Sequence, residues 1–210
     1  MKNIAIYGAG GLGRETALLI RQIIQNGMPW SILGFYDDAI TTGTVIDRLP
    51  VLGGVTDVNK VTEPLDIVVS ISDPLMRKSV VERIINSSIH FPSIFHPSCE
   101  IGDDNNQFGK GCILTAGVIL TTGVQLKDFV IVNLASTIGH DACIGEFSSL
   151  MPGCNISGNV QIGGCTLIGT GARILQNLTI GNNCKVGAGA VVTRNFQSGK
   201  TIVGIPANEK

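Results

Sequence analysis

The chain of 210 residues contains three histidines, and one of them lies next to a carboxylate. His140 is followed by Asp141 and stands two places after Ile138, which the repeat described below directs inward, so the imidazole is expected to project outward. His90 follows a predicted helix in a polar segment and His96 precedes a proline, positions typical of structural or solvated residues. An outward imidazole beside a carboxylate is a candidate for acid–base chemistry, and it is equally an ordinary solvated side chain. The residues alone leave both interpretations open.

A glycine loop forms the second candidate site. Residues 8–13 read GAGGLG, which satisfies the pattern G-x-G-x-x-G between a predicted strand and a predicted helix, and Asp37 and Asp38 follow the second predicted strand. Such glycines let backbone N–H groups approach a pyrophosphate at the helix N-terminus, while a carboxylate accepts hydrogen bonds from a ribose or a base. A complete NAD site needs two such halves, and only one fits here. The loop therefore predicts a nucleotide or nucleotide sugar, with NAD or a turn without ligand as alternatives.

The elements that must position His140 belong to a six-residue repeat. Fifteen consecutive positions at this spacing are large and apolar, a series that average apolar usage makes very improbable by chance. Small or β-branched residues follow four places later, and Cys112, Cys154 and Cys184 among them are predicted to fill the interior. A period of six fits a short strand and a tight turn, with glycine or asparagine at the turn, repeated around a prism of about five coils. The apolar series is Phe108, Leu114, Leu120, Leu126, Val132, Ile138, Ile144, Leu150, Ile156, Ile162, Ile168, Ile174, Ile180, Val186 and Val192.

Before the repeat, predicted strands and helices alternate. This βαβ pattern predicts an α/β, Rossmann-like domain over residues 1–96 and an all-β domain over residues 97–210, joined near His96. The predicted elements are a strand at 3–7, a helix at 12–26, a strand at 32–36, a loop-rich segment at 39–64, a strand at 66–71, a helix at 74–88 and a short strand near Ile94.

The composition excludes several classes of protein. A chain with 44% hydrophobic and 15% charged residues forms a core and is not disordered. The net charge of −1 gives no general attraction to nucleic acid or to an anionic membrane. The apolar stretch at 111–133 is interrupted by polar residues, so no membrane span is expected, and the N-terminus lacks the apolar core of a signal peptide, so a cytoplasmic location is expected. No CxxC pair indicates zinc.

The βαβ domain, the uninterrupted repeat and the closing segment GIPA at 204–207 together resemble the hexapeptide-repeat sugar O-/N-acyltransferases. This is the group of the sialic acid O-acetyltransferases and the UDP-4-amino-sugar N-acetyltransferases, and the resemblance covers the whole chain. It implies a left-handed parallel β-helix, a homotrimer with active sites between subunits, acetyl-CoA as co-substrate and no metal. The implied activity is direct transfer of an acetyl group to a nucleotide-linked amino sugar.

The resemblance also assigns roles to individual residues. A histidine followed by Asp or Glu on this coil is the family's general base, with the carboxylate raising its basicity, and these roles fall on His140 and Asp141. A backbone N–H near Gly158 is the expected oxyanion donor. The expected contacts of the nucleotide sugar are Gly10, Gly11, Leu12, Asp37, Asp38, Ser72 and Arg77. The expected contacts of acetyl-CoA are Ser149, Gly158, Thr170 and Ala188.

Three positions depart from the family pattern. Ser149 and Leu12 stand where the family usually has histidine, and the third strand ends in Ile71-Ser72 instead of Ile-Gly, although Arg77 keeps a basic position. These changes leave the reaction class in place and the identity of the sugar open. The alternatives to N-acetylation are O-acetylation of a sialic acid or another sugar, a non-catalytic trimer that binds nucleotide sugars, and a nicotinamide oxidoreductase.

Overall fold

The computed structural model describes residues 2–102 and 105–210, and the chain divides into two units, Met1–Pro92 and Ser93–Lys210. Among the described residues, no helix is both long and apolar enough to cross a membrane. The first unit alternates strands and helices, as predicted. Its elements are β1 (Lys2–Tyr7), α1 (Gly11–Gln25), β2 (Trp30–Tyr36), β3 (Val45–Ile46), β4 (Leu49–Pro50), α2 (Val55–Val58), β5 (Leu65–Val69), α3 (Pro74–Arg83) and β6 (Ile89–His90).

Four strands of this unit form a parallel sheet in the order β2-β1-β5-β6. The central strands β1 and β5 are mostly apolar and buried, as expected of strands covered on both faces. Helix α1 buries Ala17, Ile20 and Ile23 at helical spacing. Strand β1 has β2 on one side and β5 on the other, so the strand order reverses at β1. The loops that follow β1 and β5 therefore meet at the carboxyl edge of the sheet.

Helix α3 ends at Arg83, earlier than the predicted end at Ser88. The side-chain amide of Asn86 accounts for the difference, because it donates to the carbonyls of Val58 (3.1 Å) and Val61 (2.7 Å) and so favours a non-helical turn. The chain then forms β6, which contains His90 and pairs with β5. Two residues are too few to show the alternation that identifies a strand, so the sequence analysis missed it.

The second unit is a parallel β-solenoid with three faces, built mainly from strands of two residues, as the six-residue period predicts. The first face contains β7 (Ile94–Phe95), β10 (Ile113–Leu114), β13 (Ile131–Val132), β16 (Ser149–Leu150), β19 (Leu167–Ile168), β22 (Lys185–Val186) and β24 (Thr201–Gly204), with β25 (Ala207–Glu209) antiparallel at its end. The second face contains β8 (Glu100–Ile101), β11 (Ile119–Leu120), β14 (Thr137–Ile138), β17 (Asn155–Ile156), β20 (Arg173–Ile174) and β23 (Val191–Val192). The third face contains β9 (Gln107–Phe108), β12 (Gln125–Leu126), β15 (Cys143–Ile144), β18 (Gln161–Ile162) and β21 (Thr179–Ile180).

The solenoid has about six coils, one more than predicted. From β10 to β20, each strand pairs with the strand eighteen residues later, so one coil takes three hexads. Strands β7, β8 and β9 form a first coil, in which seven residues instead of six separate Ile101 from Phe108. This insertion breaks the period and hides the coil from a search for it. The second unit therefore begins at Ser93, before the predicted boundary at residue 97, and the strand at Ile94 belongs to the solenoid.

We call the turns that follow the first, second and third faces the first, second and third corners. A residue with positive φ occurs at every sixth position from Gly111 to Gly189, three places after each inward apolar residue, and many of these residues are not glycine. The glycines directly after the apolar residue do not have positive φ, in contrast to the predicted turn role. They are small because the next coil is close: a Cβ on Gly145 would lie 2.4 Å from the backbone nitrogen of Gly164.

The interior of the solenoid is aliphatic, as predicted, and the apolar series is buried throughout most of its length. Cys112, Cys154 and Cys184 are fully buried, which confirms the prediction that they fill the interior. Their thiols also donate to backbone carbonyls, for example from Cys154 Sγ to the carbonyl of Gly169 at 3.3 Å. Burial raises the pKa of the Cys154 thiol to about 11, so this side chain stays a neutral thiol.

Candidate active site

A pocket of about 410 Å³ lies at the carboxyl edge of the sheet in the first unit, where the loops after β1, β2 and β5 converge. In open α/β sheets this edge is the usual place for a ligand. The pocket brings together six of the seven residues predicted to contact a nucleotide sugar. They are Gly10, Gly11, Leu12, Asp37, Asp38 and Ser72.

The glycines of the loop have different physical roles. A Cβ on Gly13 would lie 1.9 Å from the carbonyl oxygen of Gly8, so only glycine permits the close approach of α1 to β1. Around Gly10 and Gly11 the space is open to 4 Å. Helix α1 begins at Gly11, and no side chain of the described residues caps its N-terminus. The first N–H groups of α1, which have no partner within the helix, are therefore available to an anion in the pocket.

The two carboxylates after β2 are held in place by donors from the protein. Asp37 accepts the N–H groups of Ala9 and Ala39, both at 2.9 Å, and thereby ties the glycine loop to the end of β2. Asp38 accepts the N–H of Val55 at 2.8 Å and the Arg83 guanidinium at 2.7 Å. A carboxylate has about four acceptor positions, so both groups can still accept a hydroxyl or an N–H of a ligand.

The hydrogen bonds around Asp38 set its ionisation. Partial burial acts to raise the pKa of this carboxyl, but the Val55 N–H, the Tyr7 hydroxyl and the Arg83 guanidinium together outweigh it and lower the pKa from its usual value. Asp38 therefore remains charged across the neutral range.

Of two arginines near the pocket, the one that lines it is not the one that the sequence suggested. Arg77, predicted to contact substrate, is fully buried, and its guanidinium donates to the carbonyls of Ile71 and Ser72, so it shapes the loop after β5. Arg83, which the sequence analysis did not select, lines the pocket and pairs with Asp38. The spacing of residues in the sequence does not predict that Arg83, near the end of α3, lies at the edge of the pocket.

Tyr7, at the end of β1, is a second pocket residue that the sequence analysis missed. Its side chain is 2% exposed, and its hydroxyl has no hydrogen-bond partner among the described residues. The hydroxyl and the Asp38 carboxylate are close enough to affect each other's ionisation. Burial, followed by the nearby carboxylate, raises the pKa of Tyr7, so the phenol keeps its proton.

His140 and Asp141 lie at the second corner of the solenoid, in the turn after β14. Nδ1 of His140 is 2.9 Å from Oδ2 of Asp141, and both side chains are largely exposed. A carboxylate only accepts hydrogen bonds, so Nδ1 carries the hydrogen and Nε2 is left as the basic nitrogen. The turn is held from both neighbouring coils, because Asp141 N–H donates to Thr122 (3.0 Å) and His140 accepts from Asn159 N–H (2.7 Å).

The four predicted acetyl-CoA residues occupy three different places on the solenoid. Gly158 is one coil beyond His140 at the second corner, and the imidazole lies against it. Thr170 and Ala188 are exposed and lie one coil apart at the first corner, at the opposite edge of the second face. Ser149 is fully buried in β16 on the first face. A single chain thus brings Gly158 to His140 but does not bring Ser149, Thr170 or Ala188 there.

Sequence comparisons match both units to known families. Residues 3–84 match the family described as PglD N-terminal domain, and residues 159–194 match the bacterial transferase hexapeptide family. The GDP-perosamine N-acetyltransferase of Escherichia coli O157:H7 is 31% identical over 172 residues, which are 81% of this chain and 76% of that protein.

Solved structures match the whole chain. The acetyltransferase domain of PglB from Neisseria gonorrhoeae FA1090, in complex with acetyl coenzyme A, superposes with a TM-score of 0.90 and 32% identity, covering 100% of this chain and 99% of that one. PerB from Caulobacter crescentus, in complex with CoA and GDP-perosamine, has a TM-score of 0.89 and 25% identity, covering 100% and 98%. The fold and the repeat are thus those of an acyltransferase. The chain belongs to the sugar acyltransferase family, as the sequence resemblance indicated.

The two glycines at positions 11 and 13 of the loop should respond differently to substitution by alanine. Gly13→Ala places a methyl group against the carbonyl of Gly8. Since neither backbone can move freely, this substitution should destabilise the first unit by ~3 kcal/mol. Gly11→Ala meets open space at a helical position and should leave the melting temperature unchanged or slightly raised. Thermal unfolding of the two variants measures the difference, and equal stabilities would contradict this account of the loop.

The contribution of the Asp38–Arg83 pair to the stability of the fold should depend on pH. Because the pKa of Asp38 is lowered in the folded state, its charge stabilises the fold above the usual carboxyl pKa of about 4, and this stabilisation is lost as the pH falls through the lowered value. Asp38→Asn should therefore lower the melting temperature at pH 7 more than at pH 3. Arg83→Met should give the same pattern. A pH-independent effect of Asp38→Asn would show that its charge does not stabilise the fold.

Proposed function

We propose that the protein transfers the acetyl group of acetyl-CoA to the amino group of a nucleotide-linked sugar. The observation that carries the proposal is the His140–Asp141 pair, a base with its carboxylate partner fixed on a rigid corner of the acyltransferase solenoid. The relatives support the choice of substrates, since PglB was solved with acetyl coenzyme A and PerB with CoA and GDP-perosamine. They favour an amine over a hydroxyl as the acceptor, because the curated relative is an N-acetyltransferase.

In the proposed reaction, the free amine of the sugar attacks the thioester carbonyl of acetyl-CoA. Nε2 of His140 takes one proton from the nitrogen as the new C–N bond forms, and Asp141 stabilises the resulting imidazolium through Nδ1. The tetrahedral intermediate then collapses with cleavage of the C–S bond, and the imidazolium returns the proton to the CoA thiolate. A backbone N–H at Gly158 is the proposed donor to the oxyanion, since this residue lies directly against the imidazole.

The pocket of the first unit is the proposed site for the nucleotide. The uncapped N-terminus of α1 suits the diphosphate, because its free N–H groups and the helix dipole favour negative charge. Asp37 and Asp38 suit neutral donors such as ribose hydroxyls or the N–H groups of a base. GDP-linked and UDP-linked sugars differ in the base of the nucleotide. We therefore assign to this pocket the selectivity between GDP-linked and UDP-linked substrates.

The proposed assembly is a homotrimer with active sites between subunits. Its support is the separation of the predicted CoA residues, because Thr170 and Ala188 lie at the first corner while His140 and Gly158 lie at the second. A symmetric ring of solenoids that places the first corner of one chain beside the second corner of the next would complete the site. The buried position of Ser149 does not add to this support. The cytoplasmic location stays a prediction from the sequence.

A panel of acceptors tests the proposed reaction. The protein is incubated with acetyl-CoA and GDP-perosamine, a UDP-linked 4-amino sugar or free sialic acid, and release of the CoA thiol is followed. We expect turnover with an amino-sugar nucleotide and none with sialic acid. Because the attacking amine must be unprotonated, the rate should rise further into mild alkali than it would with a hydroxyl acceptor. Turnover with sialic acid alone would replace the proposal by O-acetylation.

Substitution of His140 tests the proposed base. His140→Ala should lower kcat by about 10²- to 10⁴-fold, the usual contribution of a general base, without loss of folded protein. Asp141→Asn keeps a side chain that tolerates the positive φ of 59° at this position and should cause a smaller loss. His90→Ala, on β6 in the other unit, is the matched control and should retain activity. Full activity of His140→Ala would remove the histidine from the mechanism.

A further inference from the structure

The imidazole of His140 rests on a glycine of the next coil. Gly158 stands eighteen residues after His140, and it is buried although it lies at a corner. A Cβ on Gly158 would lie 2.3 Å from Nε2, 2.6 Å from Cε1 and 2.8 Å from Cδ2 of His140. The whole outer edge of the ring therefore occupies the space that any other residue at position 158 would fill with its side chain.

We infer that Gly158 is a positioning residue for His140, and that its missing side chain is what sets the orientation of the imidazole. This role is separate from the oxyanion donor proposed for its backbone N–H, because it depends on the Cα and not on the nitrogen. The consequence for catalysis rests on the proposed function of His140, whereas the effect on the ring itself does not.

The ring cannot easily move away from an added methyl group. Its backbone is fixed by the hydrogen bonds that join His140 to Asn159 and Asp141 to Thr122 on the two neighbouring coils. Rotation about the side-chain torsions is the remaining freedom, and it would draw Nδ1 away from Oδ2 of Asp141, now 2.9 Å distant. A side chain at position 158 would therefore force the His140 imidazole out of the observed orientation, in which Nδ1 contacts the Asp141 carboxylate.

The third corner provides the same geometry around a residue with no proposed role. Gly164 stands eighteen residues after Glu146, and a Cβ there would lie 2.8 Å from Oε1 and 2.9 Å from Cδ of that glutamate. The carbonyls of the two glycines have equivalent bonds, since they accept the N–H groups of Asn177 (3.0 Å) and Asn183 (2.9 Å). The N–H of Gly164 also donates to Oδ1 of Asn182 at 2.8 Å. The end of a glutamate is flexible and can move aside at little cost, and the remaining contact, 3.2 Å to the carbonyl oxygen of Glu146, needs only a small shift. Gly164→Ala is thus the matched control for Gly158→Ala.

Steady-state kinetics test the catalytic consequence. Gly158→Ala should lower kcat by about 10- to 100-fold, the size expected when a reacting group is displaced by about 1 Å, while the KM values for both substrates change by less than about threefold. Gly164→Ala should keep kcat within about twofold. Equal losses in the two variants, or full activity of Gly158→Ala, would overturn the inference.

A second measurement follows the ring without any substrate. With only three histidines in the chain, the imidazole resonances of His140 can be assigned in histidine-labelled protein by their loss in His140→Ala. Gly158→Ala should move these resonances and leave those of His90 and His96 unchanged, whereas Gly164→Ala should move none of them. Unmoved His140 resonances would overturn the inference even if no acceptor sugar had been found.

A double-mutant cycle covers the case in which Gly158→Ala folds poorly. If the destabilisation comes from the clash with the imidazole, Gly158→Ala should lower the melting temperature of the wild-type protein but have little effect in the His140→Ala background. The same loss in both backgrounds would mean that the coil itself requires glycine at this position, and the inference would fail.

Discussion

The vertical spacing of the coils is the constraint on which the solenoid and its candidate catalytic pair depend. Parallel strands lie about 4.8 Å apart, so each corner residue has only the room that the residue eighteen places later leaves free. Phe129 and Phe147 use this spacing directly, with their rings parallel and 5.0 Å apart at the third corner. Gly111, one coil earlier, has no room for a side chain, because a Cβ there would lie 2.4 Å from the Phe129 ring. A large side chain at a corner thus requires either a stacking partner or a glycine in a neighbouring coil.

The second corner at His140 follows the same rule, and there the spacing of the coils restricts the orientation of the imidazole. The stacked coils supply backbone hydrogen bonds from both sides, Asp141 holds Nδ1, and Gly158 leaves space for the opposite edge of the ring. An exposed side chain on a loop would sample several rotamers, whereas the observed arrangement of this one satisfies all three contacts. A general base gains from such preorganisation, since proton transfer requires the basic nitrogen to face the substrate at hydrogen-bond distance.

The sequence predicted the features that depend on local periodicity. The six-residue period gave the solenoid, and the strand–glycine loop–helix pattern gave the parallel sheet with its carboxyl-edge loop. The features that depend on tertiary placement were not predictable. One inserted residue between Ile101 and Phe108 hid the first coil, a side-chain amide at Asn86 shortened α3, and burial decided that Arg77 shapes a loop while Arg83 lines the pocket. The predicted CoA residues lie at two corners and on one face, a distribution that follows from their spacing once three hexads make one coil.

The charges of the pocket in the first unit are compatible with the proposed diphosphate, although three of its lining residues are acidic. Asp37 is neutralised in part by two backbone N–H groups, Asp73 accepts the N–H of Met76 at the start of α3, and Asp38 is paired with Arg83. Each carboxylate is therefore already solvated by the protein and projects less negative potential into the pocket. The N-terminus of α1 is the complementary region, where the first N–H groups have no partner within the helix and no side-chain cap among the described residues. A ligand with a diphosphate and a neutral, hydroxyl-rich part matches this division better than either a purely anionic or a purely neutral molecule.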